Sequence, residues 1–481
     1  MFKEIKQSFN YLNLVNGQWI GSKENIKIYS PVNKELLGTI PKMDKMDVDE
    51  VLKIAKEAQP GWADTPLHER AKILNRAADL LLETEEELST ILMKEIGKDL
   101  SSSTSEVKRT ADFIRFTADA GKSLEGETIA SDNFPGFKQN KLSFAQRVPV
   151  GVVLAISPFN YPINLSASKL APALIAGNSV VLKPPTQGAL SALHLVRILQ
   201  EAGIPKGVIN TITGDTKEIG DYLVTHKDID FINFTGSSKV GKHIALVAGM
   251  VPMLMELGGK DAAIVLSDAD LEAAGKQIVS GAYSYSGQRC TAIKRVLVLE
   301  DIAEEFSSIL LREVQLLTVG APEANSIVTP LINKEAADYV EELIQDALDK
   351  GAQLLCGNQR KDNLIYPTLL DKVREDMRVA WEEPFGPVLP IIRVKDKKEA
   401  IALANKSEYG LQSSIFTKNI NDAFYIARSL QVGAVQINNK SERGPDHFPF
   451  TGVKASGMGT QGIRYSIEAM TRIKSIVLSL E

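Results

Sequence analysis

Between residues 45 and 125, apolar positions recur at the spacing of amphipathic helices. Asp47-Val48-Asp49-Glu50 supplies an acidic opening for the first, with Val51, Ile54 and Ala55 as its apolar positions. Further helices are predicted over 68–82, 85–96 and roughly 104–124. The segment 128–148 differs: two stretches of mixed polarity flank Pro135-Gly136, a turn signal, and together they predict a β-hairpin.

From 150 onward, short apolar runs alternate with amphipathic stretches. Strands are predicted at 150–156, 179–183, 207–211 and 231–234, with helices at 165–175, 189–201 and 219–225 between them. Apolar strands separated by helices predict a parallel sheet with helical crossovers, covered on both faces. The pattern repeats more loosely, with strands at 262–265, 295–298, 388–392 and 434–437. The expected fold class is α/β, with two Rossmann-like parallel-sheet domains in series.

Composition narrows the function classes. A chain of 481 residues is too long for one ordinary core. Its formal net charge of −5 argues against a general nucleic-acid binder, which carries a basic excess. The two cysteines, Cys290 and Cys356, form no disulfide framework and fit a reducing cytoplasm. The opening residues lack the apolar stretch of a secretory leader. An uncharged run at 148–168 raises the membrane question, but Pro149, Pro158 and Pro162 break its backbone. It reads as a buried strand and turn, and no membrane association is expected.

Five segments carry candidate chemistry. In Ser286-Gly287-Gln288-Arg289-Cys290-Thr291 a cysteine has polar neighbours and an adjacent arginine, a setting for an accessible thiol whose thiolate is favoured by positive charge. A lone cysteine is more often a small buried hydrophobe, the reading that fits Cys356 in its strand-like context. Glu256 ends the apolar run 251–255; a carboxylate against apolar walls keeps its proton to higher pH, as a general base near neutrality requires. The alternative is an exposed glutamate at a diglycine turn. Phe234-Thr235-Gly236-Ser237 joins a strand to a capped helix whose bare N–H groups can hold phosphate, although such joints are common in α/β proteins. Lys183 at a strand end and Asn160 in Pro158-Phe159-Asn160 suit a nucleotide contact and an oxyanion contact, and each is as readily structural.

These segments, with Glu382-Glu383-Pro384-Phe385-Gly386-Pro387, stand in the order of the aldehyde dehydrogenase superfamily, which the chain resembles from about residue 14 to its end. The resemblance implies Cys290 as nucleophile, Asn160 with the Cys290 N–H as oxyanion site, and Glu256 as the base that directs water to a thioester. It implies cofactor contacts from Ser157, Lys183, Thr186, Gly236, Ser237, Leu257, Glu383 and Phe385, and no metal. It further implies a cofactor domain of residues 1–127 and 149–256, a catalytic domain of 257–456, and an oligomerisation element of 128–148 and 457–481, with a homotetramer built from dimers as the usual assembly.

One departure bears on the cofactor. Relatives that prefer NAD commonly carry a glutamate three residues after the lysine, where this chain has Thr186. A carboxylate there repels a 2′-phosphate and a hydroxyl does not, so NADP is expected. A narrower resemblance is to the non-phosphorylating glyceraldehyde-3-phosphate dehydrogenases. It rests on Arg109-Thr110-Ala111-Asp112, on 283–291, on Arg443-Gly444-Pro445-Asp446-His447 and on the ending 456–462, where Thr460-Gln461 replaces the Arg-Glu of many relatives. It implies a small phosphorylated aldehyde held by Arg109, Asn160, Tyr161, Arg289, Thr291 and Arg443, since guanidinium groups give directed bonds to phosphate. The alternative within the family is a dehydrogenase of another small aldehyde, such as lactaldehyde or succinate semialdehyde.

Overall fold

The computed structural model describes residues 5–7 and 9–480. The predicted helices are present as Lys45–Ala63, Leu67–Glu83, Glu85–Ile96 and Leu100–Gly121. The fourth begins before the expected position because Asp99 caps it, its carboxylate accepting from the Ser102 N–H at 2.8 Å. Ahead of these helices lie strands that the periodicity does not announce, among them the antiparallel pair Asn25–Tyr29 and Leu36–Pro41. Most of the first strand is not buried, so it lacks a clear apolar signature.

The first large sheet runs in the order Ile209–Thr211, Ser179–Lys183, Val152–Ile156, Phe231–Thr235, Met253–Glu256, Gly457–Met458. Five strands are parallel; Gly457–Met458 is antiparallel to Met253–Glu256. The chain enters at the central strand Val152–Ile156 and builds outward in both directions, which opens a crevice at the carboxyl ends beside it. Val153, Val180 and Leu182 face a core that includes Leu170 and Leu174, whereas Val152, Leu154 and Val181 face Val51 and Leu52. Burial on both faces accounts for the uninterrupted apolar runs.

The second sheet has the order Gln353–Cys356, Thr368–Asp371, Val388–Val394, Ile293–Leu299, Asp261–Val265, Gln412–Phe416, Ala434–Ile437. Its strands are parallel apart from Gln353–Cys356 at one edge, which carries Cys356. The predicted hairpin is Glu127–Ala130 with Lys141–Pro149, extended by Thr471–Ser479 in an antiparallel register from Thr471↔Pro149 to Ser479↔Lys141. Within the stretch after residue 456, it is Thr471–Ser479 that pairs with this ribbon. Gly457–Met458 belongs to the first sheet, and Ile463 and Ile467 of the helix Ile463–Ala469 sit in the first core, because their apolar face packs there.

Among the described residues no helix is long and apolar enough to cross a membrane. The uncharged run at 148–168 is divided between the strand Val152–Ile156, a turn and the start of the buried helix Asn164–Ile175.

Candidate active site

The chain leaves the helix Leu271–Tyr283 through Tyr285 and Ser286, at φ of 51° and 55°, and Gly287 at 71°. At Gly287 a Cβ would lie 2.5 Å from the Gly386 carbonyl oxygen, so only glycine fits. The Ser286 hydroxyl fixes the turn by donating to the Thr329 carbonyl and accepting from the Thr329 N–H, both at 2.8 Å. Cys290 follows, partly accessible, just before the strand Ile293–Leu299. Its carbonyl accepts from Lys294 Nζ, which also pairs with Glu383 at 3.0 Å. Asn160 Nδ2 donates to the Gln288 carbonyl at 2.9 Å, tying the oxyanion candidate to the cysteine turn across the two sheets.

Electrostatically the thiol differs from the sequence expectation. The Arg289 guanidinium is buried and donates to the Gly281 carbonyl, so it is anchored to the preceding helix. Burial pushes the Cys290 thiol up to about 12, with the Glu256 charge adding to the effect and Lys294 opposing it. The free protein therefore rests with a protonated thiol, and attack requires a proton acceptor.

Glu256 closes the strand Met253–Glu256 and is buried, as its sequence context implies, but its surroundings are not apolar alone. Arg443 Nη1 donates to both of its carboxylate oxygens at 2.9 Å. Thr235 Oγ1 lies 3.3 Å from Oε2 and accepts from Lys169 Nζ at 2.7 Å. Burial pushes the Lys169 ammonium down to about 7, against the pull of Glu256.

The other substrate candidates gather on the same side. Arg109 Nε and Nη2 each donate to an Asp446 oxygen at 2.7 Å, and Nη2 also donates to the Arg443 carbonyl at 2.8 Å. The Tyr161 ring carries Lys98 Nζ 3.6 Å from its centroid, and Lys98 in turn pairs with Glu106. Thr291 is buried, and its carbonyl accepts from Ser441 Oγ at 2.9 Å.

The cofactor candidates line the carboxyl ends of the first sheet. Ser157 Oγ accepts from Ser166 Oγ at 2.8 Å, and Lys183 Nζ donates to Thr216 Oγ1 at 3.3 Å. Burial pushes the Lys183 ammonium down and Asp215 opposes this. Thr186 is exposed nearby in the sequence. Ser237 caps the helix Ser238–Val247, with Gly236 immediately before it, and Leu257 packs so closely on Gly241 that a Cβ there would meet it at 2.4 Å. From the second sheet, Glu383 accepts from the Gly259 N–H at 3.1 Å, and the Phe385 ring lies 5.9 Å from Phe159. A buried ammonium with one long hydrogen bond, a neutral hydroxyl at 186 and a capped helix N-terminus form a donor set that suits a dinucleotide with an extra phosphate.

Sequence reasoning missed Lys169, Lys294, Asp446 and Gln461, which contact Thr235, Cys290, Arg109 and Arg443 respectively. Lys169 carried a signal as the charge that ends the uncharged run at 148–168, and Asp446 and Gln461 lay inside the motifs of the narrower resemblance without a role of their own; Lys294 had none.

A carboxylate, an amide and a thiol from different elements, flanked by a phosphate-ready sheet edge, define an enzyme that works through a cysteine-bound acyl group. The chain belongs to the aldehyde dehydrogenase family, whose model matches residues 19–476. It is 55% identical, over 98% of its length and 99% of the relative's, to the NADP-dependent glyceraldehyde-3-phosphate dehydrogenase of Streptococcus equinus. The Arabidopsis thaliana protein of the same name is 47% identical over 100% of this chain and 97% of its own. The crystal structure of NADP-dependent glyceraldehyde-3-phosphate dehydrogenase from Bacillus halodurans C-125, complexed with NADP, superposes with a TM-score of 0.97 at 52% identity, covering 98% of this chain and 100% of that one.

Proposed function

We propose that this enzyme oxidises D-glyceraldehyde 3-phosphate to 3-phosphoglycerate with NADP and water, and that inorganic phosphate takes no part. The observation that carries the reading is a linked set of residues: Asn160 is bonded to the cysteine turn, the Glu256 charge acts on the Cys290 thiol, Arg443 is paired with Glu256, and Arg109 is bonded to the Arg443 carbonyl. The Cys290 sulfur adds to the aldehyde carbon, and its proton leaves to a base in the cleft. The Asn160 amide, already held at the cysteine turn, and the Cys290 N–H receive the oxyanion of the thiohemiacetal. NADP, held by Lys183, Thr186, Ser157, the Gly236–Ser237 turn, Leu257, Glu383 and Phe385, supplies a hydride acceptor when bound. Glu256 then takes a proton from the water that hydrolyses the thioester.

Arg109, Arg289, Arg443, Tyr161 and Thr291 hold the phosphorylated end of the substrate in this reading. The domain division given above, a cytoplasmic location and a homotetramer belong to it as well. An exposed apolar stretch on Thr471–Ser479, with Ile473, Ile476, Val477 and Leu478 open to solvent, supports pairing with a second copy. The test is NADPH formation from glyceraldehyde 3-phosphate without added phosphate, with Cys290→Ser as control. Arg109→Leu and Arg443→Met should each raise KM for this substrate about tenfold or more. Activity on unphosphorylated aldehydes alone would overturn the substrate assignment.

A further inference from the structure

Arg443 is held from several sides. Its Nη1 bridges both Glu256 oxygens at 2.9 Å, its Nη2 donates to Gln461 Oε1 at 2.7 Å, and its Nε lies 3.6 Å from Asp446. The guanidinium lies 5.0 Å over the Phe450 ring, and Gln461 pairs with Phe450 in a two-stranded ladder. The pair is buried, with 12% of the Arg443 side chain and 4% of the Glu256 side chain accessible. The guanidinium takes up an acceptor position on each carboxylate oxygen, so it competes with a water for Glu256. The same arginine cannot clamp Glu256 and hold a substrate phosphate with the same N–H groups.

We propose that Arg443 is a positioning residue that changes partner during the cycle: it clamps Glu256 in the free enzyme and passes to the anionic end of the bound acyl group, releasing Glu256 to act on water. This rests on the phosphorylated-aldehyde reading. A phosphate dianion offers more charge and more acceptor oxygens than one carboxylate, so the exchange is favourable only when the correct substrate is present. In the released state the water oxygen bonds to the acyl carbon and its proton goes to Glu256. The carbon–sulfur bond breaks with its electron pair remaining on Cys290. No oxidant or reductant is needed in this step.

Gln461 makes the exchange possible. It is 1% exposed, its Oε1 holds Arg443, and its Nε2 has no hydrogen-bond partner among the described residues. A neutral amide keeps the arginine in place without neutralising it. A carboxylate at this position would compete with both Glu256 and the phosphate for the one guanidinium.

The test loads Cys290 with an acetyl group from p-nitrophenyl acetate, which acylates the thiol without hydride transfer, and follows loss of the adduct by intact mass. Phosphite, a free tetrahedral dianion, should speed hydrolysis of the wild-type thioester about tenfold or more. Arg443→Met should hydrolyse it at the faster rate with or without phosphite. Gln461→Glu, a near-isosteric change, should weaken phosphite binding measured by calorimetry. If phosphite binds the wild type through Arg443 yet leaves hydrolysis unchanged, the exchange is wrong and the substrate reading stands. If Arg443→Met also leaves KM for glyceraldehyde 3-phosphate unchanged, the substrate reading falls with it.

Discussion

The two large sheets meet the cleft with opposite ends. In the first, the functional positions follow the strands: Ser157 after Val152–Ile156, Lys183 at the end of its strand, Gly236 after Phe231–Thr235. In the second they precede them: Gly258 and Gly259 before Asp261–Val265, Cys290 before Ile293–Leu299, Glu383 and Phe385 before Val388–Val394. Carboxyl ends of parallel strands point at helix N-termini, whose free N–H groups and positive dipole ends favour a dinucleotide. The amino ends receive helix C-termini instead, as where Leu271–Tyr283 runs into the Cys290 turn. Helix N-termini lower thiol pKa, and Cys290 has none, in keeping with a resting thiol pushed up to about 12. One sheet thus turns donors toward charge, and the other holds a thiol that burial keeps protonated.

Four experiments break or sharpen this contrast. The largest effect is expected from Cys290→Ser, which should cut turnover by roughly 10⁴-fold or more while NADP affinity stays within about threefold by fluorescence titration. A parallel loss of NADP binding would show that the two ends are not separate in function. Asn160→Ala should lower kcat by about 10²–10³-fold in steady-state assays. It should also loosen the cysteine turn, since the Gln288 carbonyl loses its donor.

Thr186→Glu acts on the first sheet alone. It should move the ratio of kcat/KM for NADP over NAD toward NAD by about tenfold to a hundredfold, with kcat little changed. The smallest effect is one of pH in the free protein. With the thiol raised to about 12, alkylation of Cys290 by iodoacetamide should be slower than that of a free cysteine at pH 8. It should climb about tenfold for each pH unit up to pH 11, as the thiolate fraction does. A plateau near pH 8 would mean that the second sheet also activates its charge in advance.

The contrast was unevenly legible in the sequence. Four strands of the first sheet could be read in turn, because burial on both faces leaves apolar runs such as Ser179–Lys183 intact, whereas the short edge strand Gly457–Met458 could not. Gln412–Phe416 could not, since Gln412, Ser413 and Ser414 are polar yet fully enclosed. The site motifs at Cys290, Glu256 and Asn160 were visible as residue types in a recognisable order. Their couplings were not. A buried lysine such as Lys294 looks in sequence like any surface lysine, and the link between Arg443 and Glu256 spans 187 positions. Charge placement at this distance depends on how the two sheets are docked, which local pattern does not encode.

The long ribbon has a consequence for the order in which the molecule is made. Ser143 and Ser475, bonded across it at 2.7 Å, lie 332 positions apart. A chain emerging from the ribosome completes the first sheet's central strands long before Thr471–Ser479 exists, and until then Lys141–Pro149 waits with one edge unpaired. The pairing that completes the ribbon is therefore available only once Thr471–Ser479 has been made, and with it the apolar surface which this strand exposes.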